Sequence, residues 1–369
     1  MTMKFKYVVV GAGLAGLTAA ERIANVLDEK VLVIEKRGHI GGNVYDSYNK
    51  DGILIHNYGP HIFHTNDREV YLYLSKFTEW NDYWHRVLAY VDGNLVPLPI
   101  TVETINKLYN LNLDCSEVED FLKQRAEKID EIRTSRDVAL SSVGKDIYEK
   151  IFENYTKKQW GVDPKELDTS VISRIPVRYN RDTRYFADKY QGMPSHGYTK
   201  MCENMVANKN IKIMLNTDYK EIIDSLQYET LLYTGPIDEF YNYKHGKLLY
   251  RSIQFQFETF DKEEFQEASV VNYPNDYDYT RITEFKKLTG QEHKKTTICR
   301  EIPCADGEPY YPFPTKDCKA RFALYEEDMK KEKNVVFLGR LAEYRYYNMD
   351  AVVRRALDVV SDMVTGTIK

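Results

Sequence analysis

Gly11-Ala12-Gly13-Leu14-Ala15-Gly16 is a G-x-G-x-x-G string, and glycines at that spacing suit one task, holding a diphosphate. Gly11 permits a tight turn, Gly13 lets the backbone approach a pyrophosphate, and Gly16 lets the following helix pack closely on the preceding strand. The anion then lies at a helix N-terminus, where unpaired N–H groups and the helix dipole favour negative charge. Glu35 follows at about the 20-residue offset where a carboxylate accepts from a ribose hydroxyl. A second glycine turn, Arg37-Gly38-His39-Ile40-Gly41-Gly42-Asn43, comes directly after it. Elsewhere, several of the 30 tyrosines cluster with arginine and tryptophan.

These residues need particular elements to position them. Lys6 to Val10 reads as a strand buried on both faces, and Val31 to Ile34 as a second. Between them Leu17, Ala20, Ile23, Ala24 and Leu27 recur at helical spacing. Ile211 to Leu215, Thr230 to Tyr233 and Asn334 to Leu338 read as strands returning to the same fold. Gly339-Arg340 and a helix from about Asp350, with Val352, Val353, Ala356, Leu357, Val360 and Val364 on one face, follow the last strand. Val102 to about Leu167 reads as helical, ended by Asp163-Pro164. Tyr250 to Thr297 alternates and is β-rich, which predicts an antiparallel sheet.

The expected architecture is therefore α/β. A Rossmann-like dinucleotide domain is drawn from 1–75, 190–245 and 318–369, and a helical bundle at 100–172 is inserted in it. An antiparallel sheet domain is expected from 76–99, 173–189 and 246–317. The three would enclose a cleft for a large substrate.

Bulk properties narrow the function. A net charge of -5 with 43% hydrophobic and 29% charged residues describes an ordinary globular chain. It argues against a nucleic-acid partner and against a basic membrane surface. The uncharged stretch Tyr7 to Ala20 is too short to span a bilayer and lacks a signal-peptide cleavage pattern, so no membrane insertion is expected. Five cysteines without CxxC spacing suggest free thiols and a cytoplasmic setting. No HExxH string or ligand cluster calls for a metal.

The second glycine turn resembles the extended fingerprint of glutathione-reductase-like FAD proteins. Many of these carry Gly-Asp where this chain has Gly339-Arg340, a departure that argues against a disulfide-reductase type of enzyme. Over essentially its whole length the chain resembles the bacterial UDP-galactopyranose mutases. The resemblance rests on VVVGAGLAGL (8–17), EKRGHIGGN (35–43), NYGPHIFHT (57–65), ENYTKKQWG (153–161), ISRIPVRYNRDTRYF (172–186), NYPNDYDYTRITE (272–284), EPYYPFP (308–314) and GRLAEYRYYNMD (339–350). It implies reversible ring contraction of UDP-galactopyranose to UDP-galactofuranose, supplying galactofuranose for surface glycans. It further implies a covalent bond between N5 of reduced FAD and the sugar, with no net redox change. A homodimer is also implied.

Residue by residue, the resemblance makes Arg174 and Arg281 the clamp on the diphosphate. Tyr155 and Tyr185 would flank the uracil, with Phe152, Thr156 and Trp160 beside them. Asn272 would contact the sugar, and Tyr311 and Tyr346 would reach the diphosphate. Arg178, Arg184 and Arg251 are weaker candidates for the phosphates. His61 would lie against the flavin. FAD would be held by Gly11 to Gly16, Glu35, Lys36, Arg37, Gly42 and Asn43 at one end, and by Gly339, Arg340, Asn348 and Met349 at the other. Asn348 stands where relatives often carry aspartate, which puts any charge-dependent role there in doubt. Two other readings share the glycine motif: an FAD oxidase of the amine-oxidase type, and a non-enzymatic binding protein like the GDP-dissociation inhibitors. Neither needs the arginine and aromatic blocks.

Overall fold

The structure is a computed structural model that describes residues 3–366. Its centre is a five-stranded, all-parallel sheet in the order Ile211–Met214, Val31–Ile34, Tyr7–Val10, Thr230–Tyr233, Val335–Phe337. Every residue of the two strands nearest the glycine string is buried, as an apolar β-branched run covered on both faces demands. The strands come from the beginning, middle and end of the chain, so this layer is discontinuous in sequence.

Leu14–Val26 is the helix that follows the glycine turn. It is buried on nearly all sides because the sheet covers one face and the terminal helix Met349–Thr365 covers another. Gly16 makes the first packing possible: a Cβ there would lie 2.0 Å from the Gly11 carbonyl oxygen. On the terminal helix Val353, Ala356, Val359 and Val360 are buried, while Val364 is half exposed at 50%. The expected apolar face was thus right at its centre, missed Val359 and ran too far at the end, where the helix leaves the sheet.

A second, seven-stranded sheet stands beside the first. Its order is Tyr311–Pro312, Tyr250–Phe260, Thr296–Cys304, Arg281–Glu284, Val270–Asn272, Val87–Val91, Asn94–Leu98. All its pairings are antiparallel except one: Val270–Asn272 runs parallel to Val87–Ala89. That departure arises where a chain returning from far along the sequence joins an edge already made by an earlier hairpin. The sequence reading also missed the short helix Phe285–Thr289 within this region.

Helices Val102–Tyr109, Cys115–Arg125 and Ser135–Ile147 fill the insert, each begun by a reciprocal cap from Thr101, Asp114 and Thr134. The third continues through a π-helical turn, Tyr148–Glu153, into Asn154–Trp160. The expected stop at Asp163-Pro164 is corrected: Gly161, at φ 74°, ends the helix in a left-handed cap. Asp163 and Pro164 instead start a short 3₁₀ turn.

Candidate active site

The glycine turn opens into a cleft of about 1230 Å³, its mouth included. Gly11, Gly13, Leu14 and Ala15 line it, with Glu35, Lys36, Arg37, Gly42 and Asn43 along one side. His61, Gly339, Arg340 and Met349 line the other. The helix from Leu14 begins at Gly13 without a side-chain cap and without an acidic residue in its first turn. Its first N–H groups therefore remain available to an anion. The two glycine turns touch: a Cβ on Gly42 would lie 2.8 Å from the Gly13 Cα. The second turn thus closes over the first, leaving a cradle that only glycine permits.

Glu35 is buried at the end of its strand. Its carboxylate accepts from the Ala12 N–H and the Arg37 N–H, both at 2.8 Å. This holds it rigidly on the cleft wall, with lone pairs left for a ribose hydroxyl. Ala12 therefore contributes through Glu35 and does not line the cleft. Gly16 lies behind the turn, as its packing role requires. Arg37 donates to Asn43 at 3.1 Å and to Glu308 at 2.9 Å, tying the second glycine turn to the far side of the mouth. A dinucleotide carrying a diphosphate and a ribose fits these donors, and the described residues contain no group of three or more His, Cys, Asp and Glu able to hold a metal ion.

His61 Nδ1 lies 2.9 Å from the Gly59 carbonyl. A carbonyl only accepts, so Nδ1 carries the proton and Nε2 is a bare acceptor. Burial, then the His56, Arg340 and Arg281 groups, push His61 down to about 3, so the ring is neutral at pH 7.

Arg340, on the cleft wall with His61, also belongs to an arginine–tyrosine cluster. The Arg174 guanidinium sits 4.8 Å from the Tyr346 ring. Arg340 lies 5.3 Å from Tyr311 and 5.6 Å from Tyr346. The two tyrosine rings stack at 5.6 Å, 17° apart. Tyr155 and Tyr185 share the electrostatic field of Arg174 and Arg281. Burial raises the Tyr155 phenol to about 12. At Tyr346 burial acts upward, but the Arg174, Arg340 and Arg281 charges outweigh it and the net direction is downward. The phenol most easily ionised is the one set among the cations.

Arg281 and Arg174 differ in their support. Arg281 pairs with Glu301, which is buried, at 2.8 Å. Arg174 ends the short helix Ser170–Ser173, is an exposed residue, and has no carboxylate within ion-pair distance among the described residues. Asn272 is buried and is the strand partner of Arg281 across the hairpin.

Several expected residues play a different geometric part. Phe152 and Trp160 are buried in the apolar core, Trp160 edge-on to Phe313 at 5.9 Å. Thr156 is buried on the same helix as Trp160. Asn348 is exposed, makes no cap bond at the start of the terminal helix and does not line the cleft. The weaker phosphate candidates are engaged elsewhere. Arg251 donates to the Gln159 and Lys158 carbonyls, and Arg178 to those of Asp182, Arg184 and Tyr185. Arg184 is paired with Asp182.

The sequence reading missed Thr234-Gly235-Pro236, Thr217 to Tyr219 and Glu308, which also line the cleft. A signal existed for the first two. They follow strands Thr230–Tyr233 and Ile211–Met214 of a parallel sheet, whose carboxyl ends are where ligands bind. It also missed Glu301, whose role depends on a cross-strand neighbour.

Comparison with known proteins agrees with this geometry. Residues 150–346 match the family model described as UDP-galactopyranose mutase, and residues 9–77 match an NAD(P)-binding Rossmann-like domain. The chain is 37% identical to a dTDP-fucopyranose mutase of Escherichia coli, over 96% of this chain and 97% of that one. It is also 37% identical to a probable UDP-galactopyranose mutase of Klebsiella pneumoniae, over 97% and 94%. A crystal structure of reduced UDP-galactopyranose mutase superposes with a TM-score of 0.80 at 18% identity, covering 98% of this chain and 96% of that one. The chain belongs to the UDP-galactopyranose mutase family and is an isomerase built on a Rossmann-like, flavin-binding fold.

Proposed function

We propose that the chain binds FAD in the glycine cleft and, with that flavin reduced, interconverts the pyranose and furanose forms of a nucleotide-linked galactose, UDP-galactose first. The observation that carries this reading is the placement of Arg174, Arg281 and Arg340 with Tyr155, Tyr185, Tyr311 and Tyr346 next to His61 on the flavin cleft. An oxidase of the amine type has no need of a cationic, tyrosine-lined pocket at that point, and a binding protein has no need of an intact cofactor cradle.

Reduced FAD, when bound, supplies an electron-rich N5 able to bond the anomeric carbon. The chain's own residues do the rest. Arg174 and Arg281 hold the diphosphate and stabilise its charge as the glycosidic bond breaks, each charge-assisted bond contributing about 1.5–3 kcal/mol. Tyr311 and Tyr346 donate to the same phosphates. Tyr155 and Tyr185 give the base a planar partner. Neutral His61 offers Nε2 as an acceptor toward the flavin. The reading extends to a cytoplasmic homodimer that supplies furanose sugar for surface glycans.

A relative at the same 37% identity is a dTDP-fucopyranose mutase, which favours one second reading: a thymidine-linked 6-deoxy sugar as substrate. Both pairs are distinguished by chromatography. Dithionite-treated protein is offered UDP-galactofuranose and dTDP-fucopyranose separately. Conversion of the first supports the main reading, conversion of the second alone supports the other, and conversion of neither by flavin-loaded protein overturns both.

A further inference from the structure

The helix Asn154–Trp160 and the hairpin formed by Val270–Asn272 and Arg281–Glu284 each carry residues of the proposed nucleotide-sugar site. Tyr155 stands on the first; Asn272 and Arg281 stand on the second, at either end of the loop 273–280. Nothing in the chain's connectivity fixes the distance between them. One side chain bridges them repeatedly. The Lys158 ammonium donates to the Tyr273 carbonyl at 2.6 Å, the Asp276 carbonyl at 2.8 Å and the Tyr279 carbonyl at 3.4 Å.

Those three acceptors span the loop from its first residue nearly to its last. An ammonium has three donors and no acceptor, so this loop uses all of them. Lys158 has no carboxylate within ion-pair distance among the described residues, and the loop compensates its charge through backbone carbonyls and, at longer range, Asp276 and Asp278. The same helix face holds the loop twice more. Asn154 donates to Asn275 at 3.0 Å, and Asn275 donates back to the Lys150 carbonyl at 2.9 Å. Lys150, Asn154 and Lys158 recur at intervals of four, as a single helical face requires.

We propose that Lys158 is a positioning residue that sets the width of the nucleotide-sugar cleft by clamping loop 273–280 onto the helix carrying Tyr155. The proposal rests on the nucleotide-sugar reading above. It places Lys158 outside contact with the ligand and makes it act through Asn272 and Arg281.

The test is UDP affinity of the flavin-loaded protein, measured by calorimetry, for wild type, Lys158→Met, Lys158→Arg and the control Lys157→Met. Lys157 is on the same helix but faces Glu153 at its surface. Lys158→Met keeps the aliphatic stem and removes the donors. It raises the Kd for UDP and the KM about tenfold while kcat stays within about threefold, the loss of one charge-assisted anchor. Lys158→Arg recovers most of the affinity, and Lys157→Met leaves it unchanged. A lowered melting temperature with unchanged Kd overturns the proposal, because that is what a merely structural lysine would give. If Lys158→Met does not fold, Asn275→Ala reads the same coupling: about a threefold rise in Kd supports the clamp and no rise overturns it. Wild-type protein that carries flavin yet binds no UDP would instead overturn the nucleotide-sugar reading itself, which separates the two failures.

Discussion

Arg174→Ala removes the one arginine of the proposed diphosphate clamp that has no carboxylate partner among the described residues. Arg174 is an exposed residue whose guanidinium lies 4.8 Å from the centre of the Tyr346 ring. A cation–π contact at such a site contributes about 0.5–1 kcal/mol, so stability and flavin content change little. The loss appears in turnover. One charge-assisted bond to a phosphate oxygen is worth about 1.5–3 kcal/mol, and a guanidinium fork makes up to two. At about 1.4 kcal/mol per tenfold, kcat/KM falls roughly 10- to 10⁴-fold. Arg174→Lys keeps the charge but loses the fork, and recovers about tenfold of that loss. The assay is initial rate against UDP-galactofuranose with dithionite, with flavin absorbance and melting temperature measured on the same preparations. A fall of less than about threefold, in protein with normal flavin, would refute the clamp, since no phosphate bond of this kind costs so little to remove.

Other consequences follow from the same geometry. In its proposed role Tyr346 would donate to a phosphate only while protonated, and the surrounding arginines hold its phenol below the usual value. UDP affinity in the wild type therefore declines on the alkaline side before pH 10, and Tyr346→Phe, weaker at neutral pH, loses that decline; an identical alkaline limb in both would contradict the assignment. Burial lowers His56 to about 4, and burial with neighbouring charges lowers His61 and His85 to about 3. A folded state that keeps these rings neutral holds its full contribution above the unfolded value near 6.5 and loses it as pH falls below that point. By pH 5 the loss is about 2 kcal/mol per histidine, so urea midpoints drop steeply between pH 6.5 and 5; a flat profile would show the rings to be solvated. Gly16→Val places a side chain where even Cβ would sit 2.0 Å from the Gly11 carbonyl oxygen, and flavin per protein, read from absorbance, falls to near zero; full occupancy would show that the turn yields.

The parallel layer was readable because its signals are local. A buried apolar strand, three glycines, a helix and an acid stand in consecutive order, and each imposes its own backbone requirement. The second glycine turn was legible too, although its contact with Gly13 was not. The arginine–tyrosine cluster was found by resemblance. Arg174, Tyr311 and Tyr346 are far apart in sequence, and no periodicity joins them. What stayed hidden depends on partners across strands or between elements. Glu301 supports Arg281 from the neighbouring strand, and Lys158 holds a loop more than a hundred residues away. Arg251, a weaker phosphate candidate in the sequence, shows the same dependence: only the fold places its guanidinium on the carbonyls at the end of a helix. The helix end was misplaced because a left-handed glycine at Gly161 competes with the proline three residues later, and the nearer stop wins.

The central claim is that a reduced flavin acts here without being consumed. Anaerobic protein is reduced with one equivalent of dithionite, the excess is removed, and UDP-galactofuranose is added while flavin absorbance and product are followed together. The account predicts hundreds of turnovers per flavin with the spectrum still that of the reduced cofactor, and an inert enzyme once air has oxidised it. Turnover that stops after about one equivalent of product as the flavin oxidises, or full activity in the oxidised form, would contradict it.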